Sequence, residues 1–125
     1  MPHDIRVISL KDFLRTDVHG VLDMEASKRL LAAIASECAK HDGHHVLLDM
    51  RDARAEGGLP EIYELVAYLG ELGLGVRNRI ALLYHQRDTF DRAQFFARYA
   101  ERQGLQVSAF QDFEWALDWL QKGDV

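Results

Sequence analysis

The feature that most constrains the fold is a short apolar run, VLL at positions 46–48, that ends abruptly in a cluster of charged side chains. Consecutive apolar residues without alternation are typical of a strand covered on both faces, as in the middle of a parallel sheet. The charges are carried by Asp49, Arg51, Asp52 and Arg54. Open α/β sheets bind their ligands at the carboxyl ends of the strands. The run therefore predicts a central strand whose end offers a binding edge.

Strand and helix patterns alternate along the rest of the chain. Apolar or β-branched runs predict further strands at residues 4–10, 79–84 and 105–110. Apolar side chains at helical spacing predict four helices, and their first turns are marked by Asp23, by Pro60, by Asp88 or Thr89, and by Asp112. Residues 13–20 fit either a short additional strand or a loop.

This alternation defines the fold class. Strands joined by helices require crossover connections, which are right-handed and give a largely parallel sheet with helices packed on it. We therefore predict one α/β domain over residues 1–125, with a four- or five-stranded, mostly parallel sheet and about four helices. A chain of 125 residues is long enough to bury an ordinary core as one domain.

Charge and composition narrow the classes of function. The formal net charge is −5, and the arginines and lysines are scattered, so no basic patch predicts nucleic-acid binding. No apolar run approaches the ~20 residues that span a bilayer, and the first residues lack the pattern of a secretory signal. Cys38 is the one cysteine, which is typical of a reducing compartment. We expect a cytoplasmic protein that binds neither nucleic acid nor membranes.

The sequence motifs that hold cofactors are absent. No G-x-G-x-x-G follows a strand, and there is no P-loop and no G-x-S-x-G. His41, His44 and His45 come nearest to a metal-ligand cluster. A helix end at Gly43 would separate His41 from the other two, which strand alternation turns to opposite faces. We therefore expect no metal and no cofactor.

Six residues make up the candidate ligand-binding edge. They are Asp49, Arg51, Asp52 and Arg54 after the central strand, and Tyr84 and His85 at the end of the neighbouring one. Arginine suits bidentate recognition of a carboxylate or phosphate, so the edge is a candidate site for a small anionic ligand or a protein partner. In a simpler interpretation the charges pair with one another and shape the loop. A rival hypothesis is a small enzyme in which Asp49 or Asp52 is the general base and His85 the acid or base.

Aromatic pairs on the last two helices form a second candidate surface. Trp115 and Trp119 lie one turn apart, and so do Phe95 and Tyr99. Such pairs either widen the contact with the core or form a second apolar face for a subunit or protein partner. Trp115 and Trp119 are therefore candidate partner-binding residues, and we expect a homo-oligomer.

The phrases of the second half resemble those of a known family. They are VLLDMRDA, PEIYELVAYL and RIALLY, followed by an ending in which Gly104, Val107, Phe110 and Asp112 precede a helix with the phrase ALDWL. In this order they resemble the SpoIIAA-like domains of STAS/SEC14 type, from the first predicted strand to the last helix. The resemblance implies a small α/β domain that acts as a non-enzymatic regulatory or binding module, as in anti-sigma factor antagonists and transporter regulatory modules.

The chain departs from the antagonists at one functional position. In that family a serine in a D-S-S-G phrase after the central strand is phosphorylated to switch partner binding. The corresponding residues 55–58 read AEGG and contain no hydroxyl. The resemblance therefore does not extend to a phosphorylation switch in this loop. Its SEC14 part adds one more alternative, the carriage of a lipid or other hydrophobic ligand.

Overall fold

One sheet of five strands organises the chain. The computed structural model describes residues 5–10, 13–41, 44–85 and 91–121, the first of these ranges through its backbone alone. The strands are β1 (Ile5–Leu10), β2 (Phe13–Leu22), β3 (His45–Ala55), β4 (Ile80–Leu83) and β5 (Val107–Phe110). The helices are α1 (Met24–Lys40), α2 (Leu59–Glu71), α3 (Arg92–Arg102) and α4 (Phe113–Gln121). The predicted α/β fold is confirmed.

The strands follow one another across the sheet in the order β1-β2-β3-β4-β5. β1 is antiparallel to β2, whereas β2 to β5 are parallel to one another. Each of α1, α2 and α3 joins a strand to its parallel neighbour, so every connection advances one strand in the same direction. Right-handed crossovers that all advance in one direction place their helices on one face. α4 follows the last strand and covers the opposite face.

The sheet separates a large core from a small one. The large core lies between the sheet and α1, α2 and α3 and contains Val46 and Leu48. The small core lies beneath α4 and contains Leu47. The apolar run at 46–48 is thus buried on both faces of the sheet, as predicted. Because neighbouring side chains enter different cores, a shift of β3 by one residue would exchange them, and this fixes its register.

Residues 13–20 belong to a strand rather than a loop. They form most of β2, in which Leu14, Thr16 and Val18 are buried and Val18 belongs to the large core. Gly20 lies inside this strand with a φ of +81°, a left-handed backbone conformation that glycine adopts readily. β2 therefore carries the sheet from the antiparallel edge strand to the central strand β3.

β3 is longer than the apolar run that predicts it. It continues through the charge cluster to Ala55 and pairs with β2 over most of its length. The register shifts within this extension, because Asp17 pairs with Asp49 but His19 pairs with Asp52. One extra residue in β3 makes a bulge, which changes the face to which the following side chains point. The charge cluster is thus part of the strand, and its side chains are distributed over the two faces of the sheet.

Aspartate side chains begin three of the four helices in the described residues. Asp23 and Asp112 cap α1 and α4 through their carboxylates, as predicted. α3 is capped by Asp91, whose carboxylate accepts a hydrogen bond from a first-turn amide at 3.0 Å. The predicted caps of this helix, Asp88 and Thr89, lie outside the described residues. A carboxylate at this position also complements the positive end of the helix dipole.

Candidate ligand-binding site

A cavity of about 580 Å³ opens between the sheet and helices α1, α2 and α3. It lies at the carboxyl ends of β3 and β4, the edge at which parallel sheets bind ligands. Its volume is typical of sites for small molecules. The wall of this three-helix cavity is apolar and is contributed by Leu30 of α1, Leu48 of β3, Leu65 of α2, Leu82 of β4 and Phe96 of α3.

Charged side chains gather at the mouth of the three-helix cavity. They come from the end of β3, the loop after it and the first turns of α2 and α3, namely Arg54, Glu56, Glu61, Asp91 and Arg92. The exposed side chain of His85 completes this rim. An apolar wall with polar groups at one end suits a ligand that is apolar over most of its length and polar at one end.

Tyr84 connects the wall of the cavity to the start of α3. It is 7% exposed, and its hydroxyl donates to the Asp91 carboxylate at 2.9 Å and accepts from the Gln94 side-chain amide at 3.1 Å. Burial raises the pKa of Tyr84, Gln94 opposes this, and the carboxylate of Asp91 raises the pKa further. The hydroxyl therefore stays protonated and holds the first turn of α3 against the end of β4.

The loop between β3 and α2 forms one side of the mouth and depends on Gly57. The φ of Gly57 is +109°, and a Cβ at this residue would lie 2.7 Å from Cγ of Glu61. Glu61 accepts a hydrogen bond from the Gly58 amide at 2.6 Å, and the Arg92 guanidinium donates to the Gly57 carbonyl. Only glycine combines this backbone conformation with this close approach. The loop is thus held to both α2 and α3.

Asp49 and Arg51 lie on the other face of the sheet, next to α4. Arg51 donates to the two carboxylate oxygens of Asp49 at 3.0 and 2.9 Å, and Arg15 donates at 3.1 Å. The Arg15 guanidinium lies 5.2 Å from the ring centroid of Phe113 in α4. Burial would raise the pKa of Asp49, but the hydrogen bonds and charge of Arg51, with the charge of Arg15, outweigh it and lower the pKa. Asp49 is therefore an ionised anchor for two arginines.

The structure divides the six residues of the predicted edge. Arg54, Tyr84 and His85 come together around the three-helix cavity. Asp49 and Arg51 pair with each other on the opposite face, which corresponds to the simpler interpretation for these two charges. Asp52 is exposed beside His19. The predicted edge therefore consists of two separate groups of residues and one exposed carboxylate, and only one of the groups adjoins a cavity.

The catalytic pairing of the rival hypothesis is not assembled. Asp49 is hydrogen-bonded to arginines on the α4 side, whereas His85 lies at the mouth of the three-helix cavity. The side chain of Asp52 is 75% exposed, and its carboxylate lies 3.9 Å from Nδ1 of His19. A general base and its partner acid must act on the same substrate group, and among the described residues no hydrogen bond or ion pair joins either carboxylate to His85.

The two tryptophans of α4 have different surroundings. Trp119 packs on Phe110 with ring centroids 5.7 Å apart, and the Arg79 guanidinium lies 5.1 Å from its ring. The side chain of Trp115 is 71% exposed. Trp119 thus widens the small core, and Trp115 is left as the candidate partner residue.

The histidines around the start of β3 have structural contacts. The rings of His41 and His44 lie 5.5 Å apart, and Nδ1 of His45 accepts a hydrogen bond from the Arg79 amide at 2.9 Å. Among the described residues, which exclude Asp42, no group of three potential ligands is arranged to hold a metal ion. An acceptor nitrogen that is already hydrogen-bonded to the backbone is not available as a ligand.

Cys38 is a half-buried thiol in contact with the large core. Burial raises the pKa of Cys38, while the Asn78 side-chain amide donates to its Sγ at 3.2 Å and opposes that effect. A thiol with a raised pKa is a poor nucleophile at neutral pH. Its contacts therefore correspond to a structural role in the packing of α1.

The sequence interpretation missed the part of the site that the helices contribute. Ser27 of α1 and Asp91 and Arg92 of α3 line the three-helix cavity, but no motif marks them. The sequence did contain one indication of a cavity, namely the small residue Ala93 on the apolar face of α3 near its start. A small side chain at that position leaves space between the helix and the sheet.

Comparisons with known proteins identify the fold to which the structure is similar. No protein-family model matches the chain, and no curated protein sequence matches it. Among solved structures it is similar to an uncharacterised protein of the DUF3478 family with a SpoIIAA-like fold from Shewanella loihica, with a TM-score of 0.61 and 21% identity over 94% of this chain and 93% of the other. It is also similar to the anti-sigma factor antagonist SpoIIAA in its unphosphorylated form, with a TM-score of 0.52 and 14% identity over 94% of this chain and 98% of the other.

The chain therefore has a SpoIIAA-like α/β fold, as the resemblance of its sequence phrases implied. At these levels of identity the likeness establishes the fold, and the activities of the similar proteins are not transferred to this chain. None of the helices in the described residues has both the length and the apolar composition needed to span a bilayer.

Proposed function

We propose that this protein is a non-catalytic regulatory or binding module that holds a small ligand in the three-helix cavity. The observation that carries the proposal is the cavity itself, an apolar space of about 580 Å³ with charged groups at its mouth. An apolar ligand that covers the wall would remove apolar surface from water, which is favourable. Arg54, Tyr84 and His85 are the predicted edge residues that would contact this ligand.

The loop at residues 55–58 connects ligand binding to a regulatory role. In the antagonists, by resemblance, this loop carries the phosphorylated serine, and here it carries none. Ala55, Glu56 and Gly57 instead line the three-helix cavity. In this protein an occupied cavity, rather than a phosphate group, would then change the loop that a partner contacts. A partner protein belongs to this proposal because a solved structure with the same fold is an anti-sigma factor antagonist.

A second part of the proposal is a contact between copies of this chain through α4. The exposed indole of Trp115 is a large apolar group on a helix whose opposite side is already packed. Exposed aromatic side chains of this kind are enriched in protein interfaces. The homo-oligomer expected from the sequence would use this side of the molecule and leave the mouth of the three-helix cavity accessible.

A substitution that fills the cavity tests the ligand-binding proposal. Ala93 lines the cavity in the first turn of α3, so Ala93→Phe would place a ring in the space without disturbing the packed core. The matched control is Ala33→Phe, which adds the same ring on the exposed side of α1. Binding of the neutral fluorophore N-phenylnaphthylamine is measured by its emission.

We expect Ala93→Phe to weaken binding of this fluorophore about tenfold or more, since loss of apolar contact worth ~1.4 kcal/mol changes affinity by that factor. We expect Ala33→Phe to bind as the wild type does. Equal binding by all three proteins, or no binding by any of them, would remove the proposal.

A further inference from the structure

We infer that the ligand of the three-helix cavity is an amphipathic carboxylate, with an apolar body inside the cavity and an anionic head group bound by Arg54 at the mouth. This inference rests on the proposed function and adds to it the chemical class of the ligand and the residue that selects it. Three observations lead to it, namely the hydrogen-bonding state of Arg54, that of the neighbouring charges, and the composition of the wall.

Arg54 is the cation at the mouth that is available for a ligand. Within the described parts of the chain it has no hydrogen bond and no ion pair, although it lines the cavity. Arg92, the other guanidinium of the rim, donates to the Gly57 carbonyl. A guanidinium presents a planar set of N–H donors that matches the two oxygens of a carboxylate.

The acidic groups of the rim are mostly engaged within the protein. Glu61 accepts the Gly58 amide, and Asp91 accepts both the Tyr84 hydroxyl and a first-turn amide of α3. Glu56 is exposed and is the remaining carboxylate. Because the rim holds carboxylates as well as guanidinium groups, it offers no long-range attraction for anions. Selection of an anionic head therefore depends on direct contact with Arg54.

The wall excludes a ligand that is polar throughout. Leu48, Leu65, Leu82 and Phe96 offer no hydrogen-bonding groups, and burying a polar group without a partner costs several kcal/mol. An inorganic anion or a sugar phosphate would therefore gain nothing from the interior of the cavity. An alkyl carboxylate fits both parts, because its chain covers the wall and its head remains at the mouth.

The test compares octanoate with octanol, which have chains of the same length and differ in the charge of the head. Binding of each is measured by displacement of N-phenylnaphthylamine from the wild type, from Arg54→Gln and from the control Arg98→Gln. Arg98 is exposed on α3 away from the cavity, so its replacement gives the same change in net charge. Because Arg54 has no partner in the described protein, its replacement leaves the packing intact.

We expect the wild type and Arg98→Gln to bind octanoate about tenfold more tightly than octanol, as hydrogen bonds to charged groups are worth that factor or more. We expect Arg54→Gln to lose this preference while its affinity for octanol stays unchanged. Equal affinity of the wild type for the two probes, or an equal loss in both arginine variants, would overturn the inference and leave the proposed function standing. Failure of both probes to bind the wild type would overturn the proposed function itself.

Discussion

Asp49 illustrates how the chemistry of one residue depends on the face of the strand it occupies. In the sequence it begins a charge cluster that could bind an anion. In the structure it is 8% exposed and already surrounded by donors from Arg51 and Arg15. A carboxylate in this setting fixes two arginines near α4 and stabilises the fold, and it does not contribute to the three-helix cavity on the opposite face.

Replacement of Asp49 should lower stability in a pH-dependent way. The pKa of Asp49 is lower in the folded protein than in the unfolded chain, so its ionised form stabilises the fold above the ordinary value of ~3.9. This stabilisation is lost as the pH falls through the folded-state pKa. We expect Asp49→Asn to reduce the free energy of unfolding by about 1–3 kcal/mol at neutral pH, and the difference from wild type to shrink below about pH 4.

Denaturant unfolding at a series of pH values measures this difference. The control is Asp52→Asn, since the side chain of Asp52 is 75% exposed and its loss should change the free energy of unfolding by less than about 0.5 kcal/mol. A difference between Asp49→Asn and wild type that stays constant from neutral pH to about pH 3 would contradict this account.

At the scale of the element, α4 has one packed side and one open side. Trp119 lies on the packed side against Phe110 and Arg79, and its backbone carbonyl accepts a hydrogen bond from the Arg79 guanidinium at 2.8 Å. Trp115 lies on the open side. The two residues are one helical turn apart, and the sequence does not distinguish them. Helical periodicity alone does not say how much of the helix surface packs against the core.

The two tryptophans should therefore respond differently to truncation. We expect Trp119→Ala to lower the free energy of unfolding by about 2–4 kcal/mol, as large aromatic side chains in packed positions do. We expect Trp115→Ala to change it by less than about 0.5 kcal/mol but to reduce the mass of the particle in light scattering. An unchanged mass in Trp115→Ala, or a monomeric wild type, would exclude a contact between copies through this residue.

Strands and helices with strong periodic patterns were predictable, whereas the strand bulge was not. The run at 46–48 identified β3 because alternate burial in two cores requires three apolar residues in succession. The bulge between Asp49 and Asp52 leaves no trace in the composition, although it decides which side chains reach the cavity. Sequence reasoning placed all of these residues at the carboxyl end of the sheet. It could not separate Arg54, Tyr84 and His85, which adjoin the cavity, from Asp49 and Arg51 on the other face.

At the scale of the whole molecule, the order of the strands produces the asymmetry on which the proposed function depends. Because β2 to β5 are laid down in sequence across the sheet, α1, α2 and α3 share one face and α4 has the other to itself. Helices that start at the carboxyl ends of their strands bring several first turns to one edge. The three-helix cavity lies at that edge, and its lining is drawn from all three helices. Such a site depends on tertiary structure, and no local stretch of sequence could reveal it.

The central claim is that a small amphipathic ligand occupies the three-helix cavity, and leucine methyl groups on the two faces of the sheet report on it directly. Leu48 and Leu82 face this cavity, while their chain neighbours Leu47 and Leu83 belong to the small core beneath α4. We would add octanoate to the methyl-labelled protein and record carbon–proton correlation spectra. The account predicts saturable shifts of the Leu48 and Leu82 methyl signals with little change at Leu47 and Leu83. Shifts confined to Leu47 and Leu83, or none at any of the four, would contradict it.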